Sequence, residues 1–576
     1  MTSSTFVDVM RSAATTAGDQ RGLRFHTSPA DSEFVSYAAL DRQARVDAAT
    51  LGRDGHAPGD VVVLAFDPGL AFVRALYATF YAGLVAAPVP VAAMRQPGAA
   101  LRRLEAIIAD SGSGLVLTDG SALGAMGVGA DDRPAGATIV QVATLTGPAD
   151  APAWTPPPIG ADSLALLQYT SGSTGTPKGV VVSHGNLVAN EAAITAAVGI
   201  NAASRTMGWL PHYHDMGLVG QLLQPIFVGA DSVLTSPSQF LRRPLLWLRL
   251  LSQYRSTHTV GPDFAYGLCT RLVTDEQLAE LDLSSLEGVI TGAEPVRGST
   301  LAAFADRFAA AGFDGRAFIP AYGMAETTLL VTASVRAEPV DPLQVDSAGL
   351  EAGELREPSS DGRIVELVSC GPAAEGHEVA IVDPASGLRA VEGAVGEILV
   401  RGPSVAQGYW GRPEETERVF GASIVGEPGG RRYLRTGDLG SLVDGELVIT
   451  GRIKDLIIIR GRNLYPQDLE STAEAFLHSG CLSAAFEGLA SQPAVGLVAE
   501  VDSARIPLDE LERLAEQVRR SVIDEYTLPE LGIVLIRKGS LPRTTSGKVQ
   551  RSLTRSLLAE DRLATVLSVG FERTAA

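Results

Sequence analysis

The sequence predicts an α/β protein: a large N-terminal domain of stacked, mostly parallel sheets with a small β-region, then a small, mobile α+β C-terminal domain. Three observations carry this reading. Short apolar runs alternate with stretches of helical period through much of the chain, the pattern of strands covered by helices. From about residue 396 the texture changes to hairpin runs with glycine turns. At 576 residues the chain is several times longer than one compact core requires.

Taken in order, VVVLAF (61–66), GLVLT (114–118) and GVIT (288–291) are short apolar runs, as expected of strands buried on both faces. LRRLEAIIADSG and STLAAFADRFAAAGF place apolar residues at helical spacing. Residues 147–158 hold too many prolines for a helix or a central strand and read as a connecting loop. GEILVRG (396–402) and GELVITGRIKDLIIIRG (445–461) are predicted hairpin strands. LDELERLAEQVRRSVIDEY is a predicted helix with Leu508, Leu511, Leu514, Val518 and Val522 on one face, and the strand GIVLIRK follows it. The predicted division is 1–453 and 454–576.

The formal net charge of -19 argues against nucleic acid or an anionic membrane as a general partner. Apolar runs fall far short of the ~20 residues that span a bilayer, so no stable membrane insertion is expected. Three cysteines without a CxxC pair give neither a disulfide framework nor a thiolate zinc site. The expected location is cytoplasmic.

YTSGSTGTPKGV (169–180) combines backbone N–H groups freed by glycine, hydroxyl donors and one lysine, a surface suited to phosphate oxygens. Composition alone also fits a flexible linker. It is not the ordinary P-loop: Pro177 precedes Lys178 and Gly179 follows it, where that loop requires Gly and then Ser or Thr. The string TSGSTGTPKG instead resembles the phosphate-binding loop of the adenylate-forming superfamily, which includes acyl-CoA synthetases, luciferases and peptide-synthetase adenylation domains. The resemblance implies that Thr170, Ser171, Gly172, Ser173, Thr174 and Lys178 hold ATP phosphates.

Further motifs follow in the order that resemblance implies. GAEP (292–295) would line the adenine pocket through Gly292, Ala293 and Glu294. In AYGMAET (321–327), Tyr322 and Gly323 would face adenine, Glu326 would ligate magnesium and Thr327 would reach the α-phosphate. In YLRTGD (433–438), Asp438 would accept both ribose hydroxyls, a task for an acceptor-only carboxylate. In GRIKDLIIIRGRNLYP (451–466), Arg452 would contact ribose, Lys454 or Asp455 would be the hinge, and Gly461 would begin the rotating domain. LPRTTSGKVQR (541–551) supplies Lys548 as the catalytic lysine. In GWLPHYHDMGL, His214 would sit near the acyl carboxylate, with His212 either at the surface or behind the site; two histidines alone do not make a metal centre.

WLPHYHDMGLVG, YGMAETTLLVTAS and LVSCGPAAEGHEVAIVDP are most similar to the fatty acyl-AMP ligases. That resemblance implies ATP and magnesium as cofactors, a fatty acid as substrate, and a holo acyl carrier protein or polyketide synthase carrier domain as acceptor. The stretch from about Asp346 to Glu366 resembles the insertion of that branch, expected to pack on the large domain and hinder the C-terminal rotation. The alternatives are a fatty acyl-CoA synthetase and a non-catalytic acyl or nucleotide sensor. Arg242–Arg243 and Arg519–Arg520 are candidate carrier-docking pairs, each equally readable as a solvated helix face.

Overall fold

The computed structural model describes residues 4–91, 97–129, 131–145, 154–170, 177–360, 362–477, 480–489, 493–544 and 547–571. Ser171, Gly172, Ser173 and Thr174, and most of the proline-rich loop, lie outside them.

Two large sheets form the first body. One has six strands in the order Thr138–Gln141, Leu115–Thr118, Val61–Phe66, Val85–Pro90, Leu164–Thr170, Lys178–Ser183. All its neighbours run parallel except the last pair, which forms a hairpin. All six residues of Val61–Phe66 are buried, because helices cover both faces of a parallel sheet. The second sheet has eight strands: Leu330–Ala333, Phe318–Gly323, Gly288–Thr291, His258–Gly261, Arg205–Gly208, Asp231–Thr235, Gly22–His26, Ser32–Ser36. Only its two edge pairings are antiparallel.

The expected hairpin region is a four-stranded antiparallel sheet, Glu378–Val382, Gly396–Arg401, Leu434–Val443 and Glu446–Arg452. Beyond it, residues 457 to 569 build an apolar cluster of their own around the mixed sheet Ser483–Glu487, Val495–Val501, Leu531–Arg537, Thr565–Val569. The helix Leu508–Tyr526 packs on that sheet through Leu511, Ala515, Val518, Val522 and Tyr526. Leu508, expected on the same face, is instead 58% exposed: it is the first helical residue, and the buried stripe starts one turn later. Among the described residues no helix is long and apolar enough to cross a membrane.

Candidate active site

Four adjacent parallel strands of the larger sheet end at one edge, and the chain leaves each of them carrying a candidate group. His212, His214 and Asp215 follow Arg205–Gly208; Asp263 and Phe264 follow His258–Gly261; Gly292, Ala293 and Glu294 follow Gly288–Thr291; Tyr322 and Gly323 close Phe318–Gly323. Carboxyl ends of parallel strands are where open α/β sheets bind ligands. The backbone is tightly drawn here. A Cβ on Gly292 would lie 2.5 Å from the Ala321 carbonyl oxygen, and one on Gly323 would lie 1.7 Å from that of Leu329, so only glycine fits. Ala293 holds a left-handed φ of 67°.

The antiparallel sheet brings Asp438 and Arg452 to this edge as direct cross-strand partners. One Asp438 carboxylate oxygen accepts the Arg452 Nε–H at 2.9 Å and the other accepts the Tyr322 hydroxyl at 2.8 Å. A carboxylate has about four acceptor positions, so two more donors can be taken. Three residues named from separate motifs thus form one cluster.

Beside it, one oxygen of Glu326 accepts the Tyr409 hydroxyl at 2.9 Å. Loss of water around Glu326 raises its pKa, and the nearby Asp215 and Asp438 charges add to the rise while the Tyr409 hydrogen bond opposes it. Lys178 pairs with Glu415 at 2.5 Å and lies 5.5 Å from the centre of the Tyr409 ring. Tyr409 and Glu415 belong to no motif singled out in the sequence. The run GYWGRPEET holds them, and its backbone pairs with the strand Lys178–Ser183: Val181 N–H donates to the Gly408 carbonyl at 2.9 Å, Trp410 N–H to that of Gly179 at 2.8 Å, and Tyr409 bridges Val180. Thr327 is fully buried, and its hydroxyl donates to the carbonyls of Met324 (2.9 Å) and Leu329 (3.1 Å). In this arrangement it is turned into its own loop.

Lys548 enters from the C-terminal segment. Burial lowers its pKa, as does Arg452, while the Asp215, Glu294 and Asp438 charges pull it back up. Asp215 is 2.7 Å from His214 Nδ1; burial would raise its pKa, but His214 and Lys548 outweigh that and the net shift is downward. Glu294 accepts the Phe264 backbone N–H at 2.7 Å in the first turn of helix Asp263–Leu272, and burial pushes it up to about 7. A Cβ on Gly547, next to Lys548, would lie 3.9 Å from the Phe264 ring. His212 is neither at the surface nor charged: it is 6% exposed, stacked 3.8 Å from Phe72, and burial pushes its pKa down to about 3. Among the described residues there is no group of three or more His, Cys, Asp or Glu able to hold a metal.

Lys454 and Asp455 form a single turn between strands Glu446–Arg452 and Ile457–Ile459, and Arg551 reaches back to Asp455 at 3.4 Å. Gly461 sits at φ 79° in the next hairpin turn. The 346–366 stretch forms helix Ser347–Glu351 and part of the strand pair Leu343–Asp346 and Ile364–Leu367. It touches the large body, Leu355 N–H donating to the Gly393 carbonyl at 2.7 Å. It also grips the C-terminal segment directly. Glu351 pairs with Arg462 at 2.7 Å, the Arg363 guanidinium lies 4.2 Å from the centre of the Tyr526 ring, and Val345, Leu350 and Tyr465 pack together.

A family model described as AMP-binding enzyme matches residues 10–410. The chain belongs to the AMP-binding enzyme family. Within that family it groups with the fatty acyl-AMP ligases. It is 40% identical over 540 residues to the medium-chain fatty-acid:acyl-carrier-protein ligase JamA of Moorena producens, covering 92% of this chain and 90% of that one. A solved structure from work on fatty acyl-adenylate ligases of E. coli and L. pneumophila superposes with TM-score 0.88 at 33% identity, over 97% of this chain and 98% of the other. An L. pneumophila fatty acyl-adenylate ligase in complex with acyl adenylate and pyrophosphate gives TM-score 0.75 at 34% identity, over 98% of each chain. This AMP-binding enzyme therefore shares its architecture with a ligase that binds acyl adenylate and pyrophosphate.

Proposed function

We propose that the chain joins a medium- or long-chain fatty acid to AMP, releasing pyrophosphate from ATP, and passes the acyl group to the phosphopantetheine thiol of an acyl carrier protein. The observation that supports this most is the convergence of Tyr322, Asp438, Arg452, Glu294 and Lys548 at one sheet edge. The name of the relative JamA supports the carrier protein as acceptor.

In this reading Asp438 takes the ribose hydroxyls with its free acceptor positions, Arg452 orients that carboxylate through its Nε–H, and Tyr322 with the Gly292–Ala293–Glu294 and Gly323 backbone encloses adenine. A fatty carboxylate oxygen attacks the α-phosphorus, and the bond to the pyrophosphate oxygen breaks. Two anions approach each other, so the barrier is largely electrostatic. Lys548 bridges the carboxylate and α-phosphate oxygens; its pKa, lowered by burial and Arg452, is the cost of placing an ammonium where negative charge gathers. His214, fixed by Asp215, faces the acyl carboxylate. Lys178 leaves Glu415 for the phosphates, with Thr170 as its partner across the hairpin.

Magnesium fits Glu326. This is a hard oxygen donor beside the charges of Asp215 and Asp438, and such an ion is usually held by one or two carboxylates plus substrate phosphates. When bound, the ion neutralises phosphate charge. Lys454 or Asp455 serves as the hinge between 1–453 and 454–576. Pyrophosphate release that depends on an added fatty acid tests the reading; release with amino acids but with no fatty acid of any length would refute it.

A further inference from the structure

If a carrier protein is the acceptor, it must find this chain against a net charge of -19. The segment Phe240 to Pro244 runs alongside helix Asp263–Leu272: the Phe240 and Phe264 ring centres are 6.4 Å apart, and Cys269 Sγ meets the Pro244 carbonyl at 3.9 Å. Arg242, Arg243 and Arg271 are exposed, Arg271 along the groove between this helix and Gly298–Phe308. The guanidinium of none of the three pairs with a carboxylate or any other group among the described residues. Leu241 (59% exposed) and Leu272 (56%) stand next to them in sequence. Three free guanidiniums with two exposed leucines make a cationic, partly apolar surface on an otherwise acidic protein.

Helix Asp263–Leu272 links that surface to the reaction centre. Its first turn carries Phe264, which is held by Glu294 and lies beside Gly547 and Lys548. Its last turn carries Arg271 and Leu272. Arg271 stands seven residues beyond Phe264, about 10 Å along the helix axis, a separation within reach of a flexible prosthetic arm. The other arginine pair is weaker on structural grounds: Arg519 is already committed, its Nε donating to the Leu531 carbonyl at 2.9 Å, with Glu516 3.6 Å away.

We propose that Leu241, Arg242, Arg243, Arg271 and Leu272 form the docking surface for an acidic helix of the holo acyl carrier protein. This rests on the acceptor assigned above. Complementary charge of this kind acts mainly on encounter and is screened by salt.

The test uses the full chain and the best acceptor from a small panel of acidic holo acyl carrier proteins, with free pantetheine as a second acceptor. In R242E/R243E/R271E the KM for the carrier should rise tenfold or more. Fatty-acid-dependent pyrophosphate release and transfer to pantetheine should stay within twofold. In the unmodified chain the carrier KM should climb with salt while pantetheine transfer does not. An unchanged carrier KM in the variant, or one insensitive to salt in the unmodified chain, overturns the docking surface alone. Pyrophosphate release without transfer to any carrier overturns the acceptor assignment, and the surface with it. Self-association abolished by the triple change, with carrier transfer intact, would give the patch to a second copy and overturn the proposal. If the triple variant misfolds, L241A/L272A, expected to raise the carrier KM severalfold, decides by the same readouts.

Discussion

The C-terminal segment meets the rest of the molecule along two seams of different construction. At the insertion, contact is directed: Glu351 to Arg462, Arg363 over Tyr526, and an apolar patch of Val345, Leu350 and Tyr465. At the reaction centre, Lys548 is held by the charges of Asp215, Glu294 and Asp438 at a distance, with Arg452 opposing them, and Gly547 only brushes Phe264. The first seam fixes the orientation of the segment without any ligand. The second leaves the lysine free to take up substrate oxygens. We propose that a chain built this way favours the pose that makes an adenylate over one in which the segment has swung away.

The largest effect expected from breaking this contrast is at the reaction seam. Lys548→Ala should lower fatty-acid-dependent pyrophosphate release by about 10² to 10³, as for other donors aimed at developing charge, while ATP binding measured by calorimetry persists. Loosening the other seam should act differently. E351A/R363A removes partly exposed ion pairs worth about 1 kcal/mol, so acyl-CoA formation should rise roughly fivefold with adenylation unchanged. A fall in adenylation with no gain in acyl-CoA would show that the insertion does not restrain the segment.

A smaller effect is expected from Glu294, whose pKa of about 7 lies within the working range. As pH rises from 6 to 8 this group ionises and favours the Lys548 ammonium, so adenylation should increase over that interval. In Glu294→Gln that limb should flatten. The smallest effect concerns the insertion seam. Asp468, in the helix after Tyr465, has its pKa raised to about 6 by burial, against an ordinary 3.8. Its folded pKa exceeds the unfolded one, so its favourable contribution is complete below the unfolded pKa and is lost as pH rises through about 6. Asp468→Asn should therefore raise the melting temperature by a few degrees at pH 8, with the gain shrinking toward pH 4.

Much of this was legible in the residues. Continuous apolar runs announced the parallel strands, and the motif strings named Asp438, Arg452, Tyr322 and Lys548 before any of them could be seen to converge. What stayed hidden depended on pairing between distant segments. Tyr409 reaches Glu326 because residues 407–410 pair with residues 179–181, and Phe264 joins the site through Glu294 and the nearby Gly547. His212, polar in sequence, is placed inside the core by stacking on Phe72. Leu508 had the right period but stood one turn before the buried stripe began.

The most direct test of the central claim is product analysis by mass spectrometry after incubation with ATP, magnesium and dodecanoate, with coenzyme A and a holo acyl carrier protein competing as acceptors. The expected result is acyl-AMP and acylated carrier with little acyl-CoA. Acyl-CoA as the main product, or no acyl-AMP at all, would contradict the account.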